Sequence, residues 1–130
     1  TGDYQLRDSY AALLDSLDHA SWAAKTNLNI KWISSEEVEK KGVSVLNKPD
    51  GIIVPIGWGA RGVEGKIMAA QYARQNKIPY LGLCYGMQLA VVEYARNVAN
   101  LKEANTTEVV SIKSIRYRFI AFLFKDKFTE

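Results

Sequence analysis

Two short apolar runs, each closed by a glycine-bearing turn and each followed by a helical pattern, restrict this chain to few architectures. The first, Gly51-Ile-Ile-Val-Pro55, is β-branched and apolar, the composition of a strand buried on both faces of a parallel sheet. A glycine-rich turn, Gly57 to Gly65, follows it and leads into a helix expected from about Lys66 to Gln75. The second run, Ile78 to Leu83, reads as another buried strand and ends directly on Cys84. Beyond it, Met87, Leu89, Ala90, Val91, Tyr94, Ala95 and Val98 recur at spacings suited to a largely buried helix. Strand, helix, strand, helix predicts an α/β fold with a parallel sheet.

Upstream, Asp8 to Ala24 places Leu13, Leu14, Leu17 and Trp22 at helical spacing, with Asp8 and Ser9 available as N-caps. Asn29 to Ile33 alternates polar and apolar residues and predicts a short strand. Ser34 to Lys41, opening Ser-Ser-Glu-Glu, predicts a short helix with acidic residues in its first turn. The 17 basic and 14 acidic residues are interspersed, so no nucleic-acid face is expected. A lone cysteine rules out an internal disulfide and a multi-cysteine metal site, so no metal is expected, and it fits a reducing, cytoplasmic setting. Neither a leader nor a membrane-spanning segment is read in the sequence.

Three motifs compete for the chemistry. Gly57-Trp-Gly-Ala-Arg-Gly62 is a literal G-x-G-x-x-G between strand and helix, but the acidic residue that should end the next strand is replaced by Cys84. The plainer reading is a turn that needs backbone freedom. Ala60 to Ile67 approaches a P-loop, yet Ala60 stands at the first glycine and Ile67 at the magnesium-binding hydroxyl, which leaves Lys66 as a solvated first-turn residue. Gly82-Leu-Cys-Tyr-Gly86 is a cysteine nucleophile elbow, with small residues two before and two after the nucleophile where the chain passes close to itself. There a helix N-terminus would favour the Cys84 thiolate, and the Tyr85 N–H would be placed to donate to a developing oxyanion. The competing reading of Cys84 is a small buried side chain at a strand end.

Taken together, Gly51 to Lys66, Ile78 to Gln88, Ala90 to Ala99 and Ala104-Asn-Thr-Thr-Glu108 closely resemble the CTP synthase family, with further similarity at Asp8-Ser-Tyr10 and His19-Ala20. Arg61-Gly-Val-Glu-Gly-Lys66 and Asn105-Thr-Thr-Glu108 are the motifs specific to that family within the class I glutamine amidotransferases. The resemblance spans residues 1–108, read as a partial amidotransferase domain, with 109–130 as a tail outside it. It implies a flavodoxin-like three-layer α/β fold, incomplete at both ends. It also implies hydrolysis of L-glutamine at Cys84, with ammonia passed to a synthetase domain, absent here, that turns UTP into CTP using ATP and magnesium. No cofactor is expected in this chain itself, and the full-length family is homotetrameric.

By the same resemblance, Cys84 matches the thioester-forming nucleophile and Gly57 an oxyanion-hole and glutamine-contacting glycine. Tyr85, Gly86, Met87 and Gln88 match the segment lining the glutamine site, and Glu108 matches the carboxylate that holds the glutamine amino group, as suits an ammonium. Three departures stand out. The family's base histidine and orienting glutamate, an H-x-E motif, have no counterpart, and the one histidine, His19, reads as a helix-surface residue. An unassisted thiol is only a few per cent thiolate at neutral pH, so low activity and a remnant glutaminase are expected. Ile56 stands where the family has glycine, which puts the oxyanion turn in question. From Val109 the match ceases in a basic and aromatic tail including Arg116 to Phe124, with strand propensity. The alternative from another class is a non-catalytic module binding glutamine or a partner chain.

Overall fold

The computed structural model describes residues 7–109, as a helical unit ending at Trp32 and a larger unit beginning at Ile33. In the helical unit a 3-10 turn, Arg7–Tyr10, runs into α1, Ala11–Ala23. The N-cap position of α1 falls at Tyr10, later than the Asp8 and Ser9 expected, and Tyr10 makes no side-chain cap bond, because the 3-10 turn already continues the helical path. Leu13, Leu14 and Leu17 are half-buried and Trp22 is exposed. His19 is indeed on the helix surface, its ring 5.3 Å from that of Trp22. The strand expected at Asn29 to Ile33 is not formed, since residues 26–34 adopt neither helix nor strand. Alternation supplies a face but no hydrogen-bonding neighbour, and a strand needs both.

In the larger unit, α2 (Ser35–Lys41) and a 3-10 turn (Val43–Leu46) precede β1 (Ile52–Val54), α3 (Val63–Asn76), β2 (Tyr80–Gly82) and α4 (Tyr85–Asn97). The strands pair in parallel, Ile52 with Tyr80, Ile53 with Leu81 and Val54 with Gly82. Two flanking bonds lengthen the ladder, Ile52 N to Pro79 O and Leu83 N to Val54 O, both 2.9 Å. This is the parallel β-α-β arrangement predicted. The strands are less buried than predicted: Leu81 is 50% exposed, and only Val54 of the six strand residues is buried.

Helix α3 begins three residues before the expected Lys66 because Gly62, at φ 66°, takes the left-handed conformation that turns the loop into it. Gly65 is then inside the helix, where α2 passes so close that a Cβ would strike the Ser35 carbonyl. One apolar cluster joins α3 to α4 through Val63, Ile67, Tyr85, Leu89 and Val92. A second joins α2 to α3 through Val38, Leu46 and Ala69. Between α3 and α4 the buried Glu93 carboxylate accepts three hydrogen bonds from Arg74, at 2.6 to 3.2 Å, and one from Asn97 at 3.1 Å. A carboxylate out of water needs such complete pairing, so this bridge fixes the register of the two helices. Met87, Val91, Tyr94 and Val98 remain exposed, which makes α4 a one-faced helix rather than a largely buried one.

Candidate active site

Because β1 and β2 run parallel and in register, the loops that leave their carboxyl ends emerge at one edge of the sheet. Those loops are Gly57 to Gly62 after β1 and Leu83-Cys84 after β2. Ligands of open α/β sheets bind at such an edge. At Cys84 the backbone stands at φ 51°, ψ −101°, a conformation that non-glycine residues avoid and that costs on the order of 1–3 kcal/mol where it is held. It is held from both sides. A Cβ on Gly82 would run into the Gly86 carbonyl group and the Met87 nitrogen, and one on Gly86 would collide with the Val54 carbonyl. The thiol is exposed rather than packed away, which overturns the buried-side-chain reading.

Cys84 is the N-cap of α4, and Gly86 N donates to Leu83 O at 3.0 Å while Gln88 N donates to Cys84 O at 3.1 Å. Cys84 therefore stands at the N-terminal, positive end of α4. Two tyrosine hydroxyls strap the elbow in place. Tyr80, on β2, donates to Gly86 O at 2.9 Å, and burial pushes its pKa upward. Tyr85 donates to Gly59 O at 2.6 Å and so ties the Gly57 loop to the helix that carries the nucleophile. Its pKa is pushed up to about 12, first by burial and then by the nearby Glu108 carboxylate. Tyr85 itself is fully buried. Tyr85→Phe, which keeps the ring and deletes only the hydroxyl, is expected to lose about 1 kcal/mol of stability in urea unfolding. No change would show that the Gly59 carbonyl does not depend on it.

Arg61 adds a third tie, pairing with Glu36 of α2 at 2.9 Å and holding that carboxyl below its ordinary pKa. Ile56 is exposed at the loop entrance, and Met87 beside the elbow is exposed too. Gln88 is half-buried. Its side-chain oxygen accepts from the Thr106 hydroxyl at 3.0 Å, which brings the Asn105-Thr-Thr-Glu108 turn to the first part of α4. Glu108 is exposed in that turn. Arg96 secures the approach to it, donating to Ala104 O at 2.7 Å and pairing with Glu64 at 2.9 Å.

The structure thus brings together the Gly57 loop, Cys84, Tyr85, Gly86, Met87, Gln88 and Glu108. It does not give Lys66 the solvated position expected. Lys66 is 3% exposed, with its ammonium 5.0 Å from the centre of the Tyr85 ring and no hydrogen-bond partner among the described residues. The helix begins early enough to turn this residue inward, beneath the elbow. Thr106 and Arg96 contribute without a sequence signal of their roles; the Asn-Thr-Thr-Glu motif marks the first without saying what it does. An apolar hollow of about 560 Å³ along Tyr80, Met87, Val91 and Tyr94 lies on another flank of α4 and offers almost no polar groups for chemistry.

The sequence profile of the family described as Glutamine amidotransferase class-I matches residues 5–127. The chain belongs to the class-I glutamine amidotransferase family. A CTP synthase of Thermococcus gammatolerans is 55% identical to it over 105 residues, covering 81% of this chain and 20% of the relative. The amidotransferase chain therefore spans about a fifth of the length of that curated relative. Among solved structures, the glutaminase domain of Trypanosoma brucei CTP synthase with bound acivicin superposes with a TM-score of 0.79. That alignment, at 38% identity, covers 91% of the amidotransferase chain and 47% of the trypanosomal one. The α/β fold with its parallel sheet is the fold of this family.

Proposed function

We propose that this amidotransferase chain is the part of a CTP synthase glutaminase that carries the nucleophile and binds L-glutamine. The observation that carries the reading is the strained, solvent-facing Cys84, held between two glycines that tolerate no Cβ. In this reading the thiolate attacks the carboxamide carbon of glutamine, and the oxyanion that forms is met by the N–H groups of Tyr85 and Gly57. Ammonia leaves, a glutamyl thioester remains, and water releases glutamate. Glu108 receives the α-ammonium, and Tyr85, Gly86, Met87 and Gln88 line the rest of the site. The ammonia then serves a synthetase domain that aminates UTP to CTP with ATP and magnesium, in the homotetrameric assembly of that family.

Attack and thioester hydrolysis both require a base. The single histidine of these 130 residues, His19, lies against Trp22 in the helical unit with the two rings tilted, and belongs to no H-x-E motif. Turnover accordingly depends on an imidazole from outside this sequence, and the chain alone binds glutamine without hydrolysing it at a useful rate.

Because Cys84 is the only cysteine, every thiol label reports on this site. Glutamine is expected to slow iodoacetamide modification of Cys84 saturably, and glutamate release from glutamine is expected to stay at the level of a Cys84→Ala variant. Absence of protection at saturating glutamine would defeat the binding assignment. Release that disappears in Cys84→Ala would show that a base is present after all.

A further inference from the structure

The Thr106 hydroxyl is fully buried and engaged twice: it donates its one proton to Gln88 Oε1 at 3.0 Å and accepts the Glu108 backbone N–H at 3.3 Å. The surrounding backbone leaves this turn little choice of position. Arg96 holds Ala104 O at 2.7 Å, Ala104 itself is buried, and Val109 N returns to Thr106 O at 3.1 Å while its side chain packs on the Val63, Tyr85 and Leu89 cluster. Thr106 is thus fixed from both sides, and what it fixes in turn are two groups of opposite hydrogen-bonding character.

A hydroxyl has one proton and two lone pairs. With the proton committed to the Gln88 oxygen, the Gln88 amide is left with its N–H donors for any other partner. With a lone pair committed to the Glu108 N–H, the turn is closed and the carboxylate is carried on a short, bonded loop rather than a free one. The resulting pair, a donor amide at Gln88 and an anion at Glu108, complements the amino-acid end of a ligand: carboxylate or carbonyl oxygens on one side, ammonium on the other.

We propose that Thr106 is a positioning residue that makes the glutamine site select for a free α-amino group, by orienting Gln88 and Glu108 together through one buried hydroxyl. The inference deepens the glutaminase reading and rests on it for the identity of the ligand. Thr106→Val removes both bonds at nearly constant shape, and Thr106→Ser keeps both.

Two measurements test it, on the full 130-residue chain. In the first, solvent exchange of the Glu108 amide is followed by NMR; it is expected to quicken about threefold to tenfold in Thr106→Val and to stay near the original rate in Thr106→Ser. In the second, protection of Cys84 from iodoacetamide is titrated with glutamine and with glutaramate, the same skeleton lacking the α-amino group. The preference for glutamine is expected to narrow about tenfold in Thr106→Val and to return in Thr106→Ser. A purely structural threonine would weaken both ligands alike and leave the ratio unmoved, which overturns the proposal. An unchanged Glu108 amide in Thr106→Val overturns it as well. If the unsubstituted chain shows no glutamine protection at all, the glutaminase reading falls and the proposed selectivity falls with it, while the amide measurement still separately decides whether Thr106 holds the turn.

Discussion

Gly86→Ala is expected to lower the unfolding free energy by about 3 kcal/mol, at the upper end of what overpacking costs, and to disturb the Cys84 elbow at the same time. The helix that starts at Tyr85 passes over β1 so closely that the added methyl would collide with the Val54 carbonyl and crowd the Val54 side chain. The obstacle is main chain inside a hydrogen-bonded sheet, so no rotamer change can relieve it. Either α4 lifts from β1 or the Leu83 N to Val54 O bond is lost. Gly59→Ala is the informative contrast, for Gly59 has φ 76° but nothing within 4 Å of an added Cβ. It should pay only the conformational term of a left-handed residue, about 1 kcal/mol. Urea unfolding of the two variants separates steric exclusion from backbone preference. A Gly86→Ala chain as stable as the Gly59→Ala chain would mean that α4 does not lie this close to β1.

That close approach is also why the elbow was legible in the sequence. A nucleophile between a strand and a helix forces glycine two positions to either side, and the pattern Gly82-x-Cys84-x-Gly86 states the constraint directly. The parallel pairing was legible for a related reason, since two apolar runs separated by one helix have few other ways to bury themselves. The alternation at Asn29 to Ile33 misled because periodicity describes one strand and pairing requires two. Lys66 misled because charge argues for exposure, whereas its direction is set by where α3 begins, and that depends on the left-handed Gly62 four residues earlier. Thr106 and Arg96 act through distances of 18 and 8 residues along the chain, to Gln88 and Ala104. Neither spacing leaves a periodic trace, so these contributions become visible only once the turn after α4 is folded back. Of the tail read over residues 109–130, all but Val109 lies outside the described residues.

Lys66→Met is expected to stabilise the chain by about 2 kcal/mol at neutral pH, the reverse of the usual effect of a core substitution. An ammonium 3% exposed has given up its water, and no described residue offers it a hydrogen bond in return. Burial pulls its pKa below the ordinary lysine value of 10.5, with the Glu39 carboxylate pulling the other way. The Tyr85 ring returns part of the loss through the face it presents to the cation, on the order of 1 kcal/mol. The sign with pH follows from the depressed pKa. Below the folded-state value both the folded and unfolded chains carry the charge, and the folded chain bears the full penalty. As pH climbs from there toward 10.5 the folded chain releases its proton first, so stability rises with pH across that window. The methionine variant has nothing to titrate there, and its advantage should shrink as pH is raised. Paired urea titrations at pH 7 and pH 10 measure this directly. A methionine variant less stable than the parent at pH 7 would mean that the ammonium is paired in the folded chain and contributes to holding the elbow from beneath.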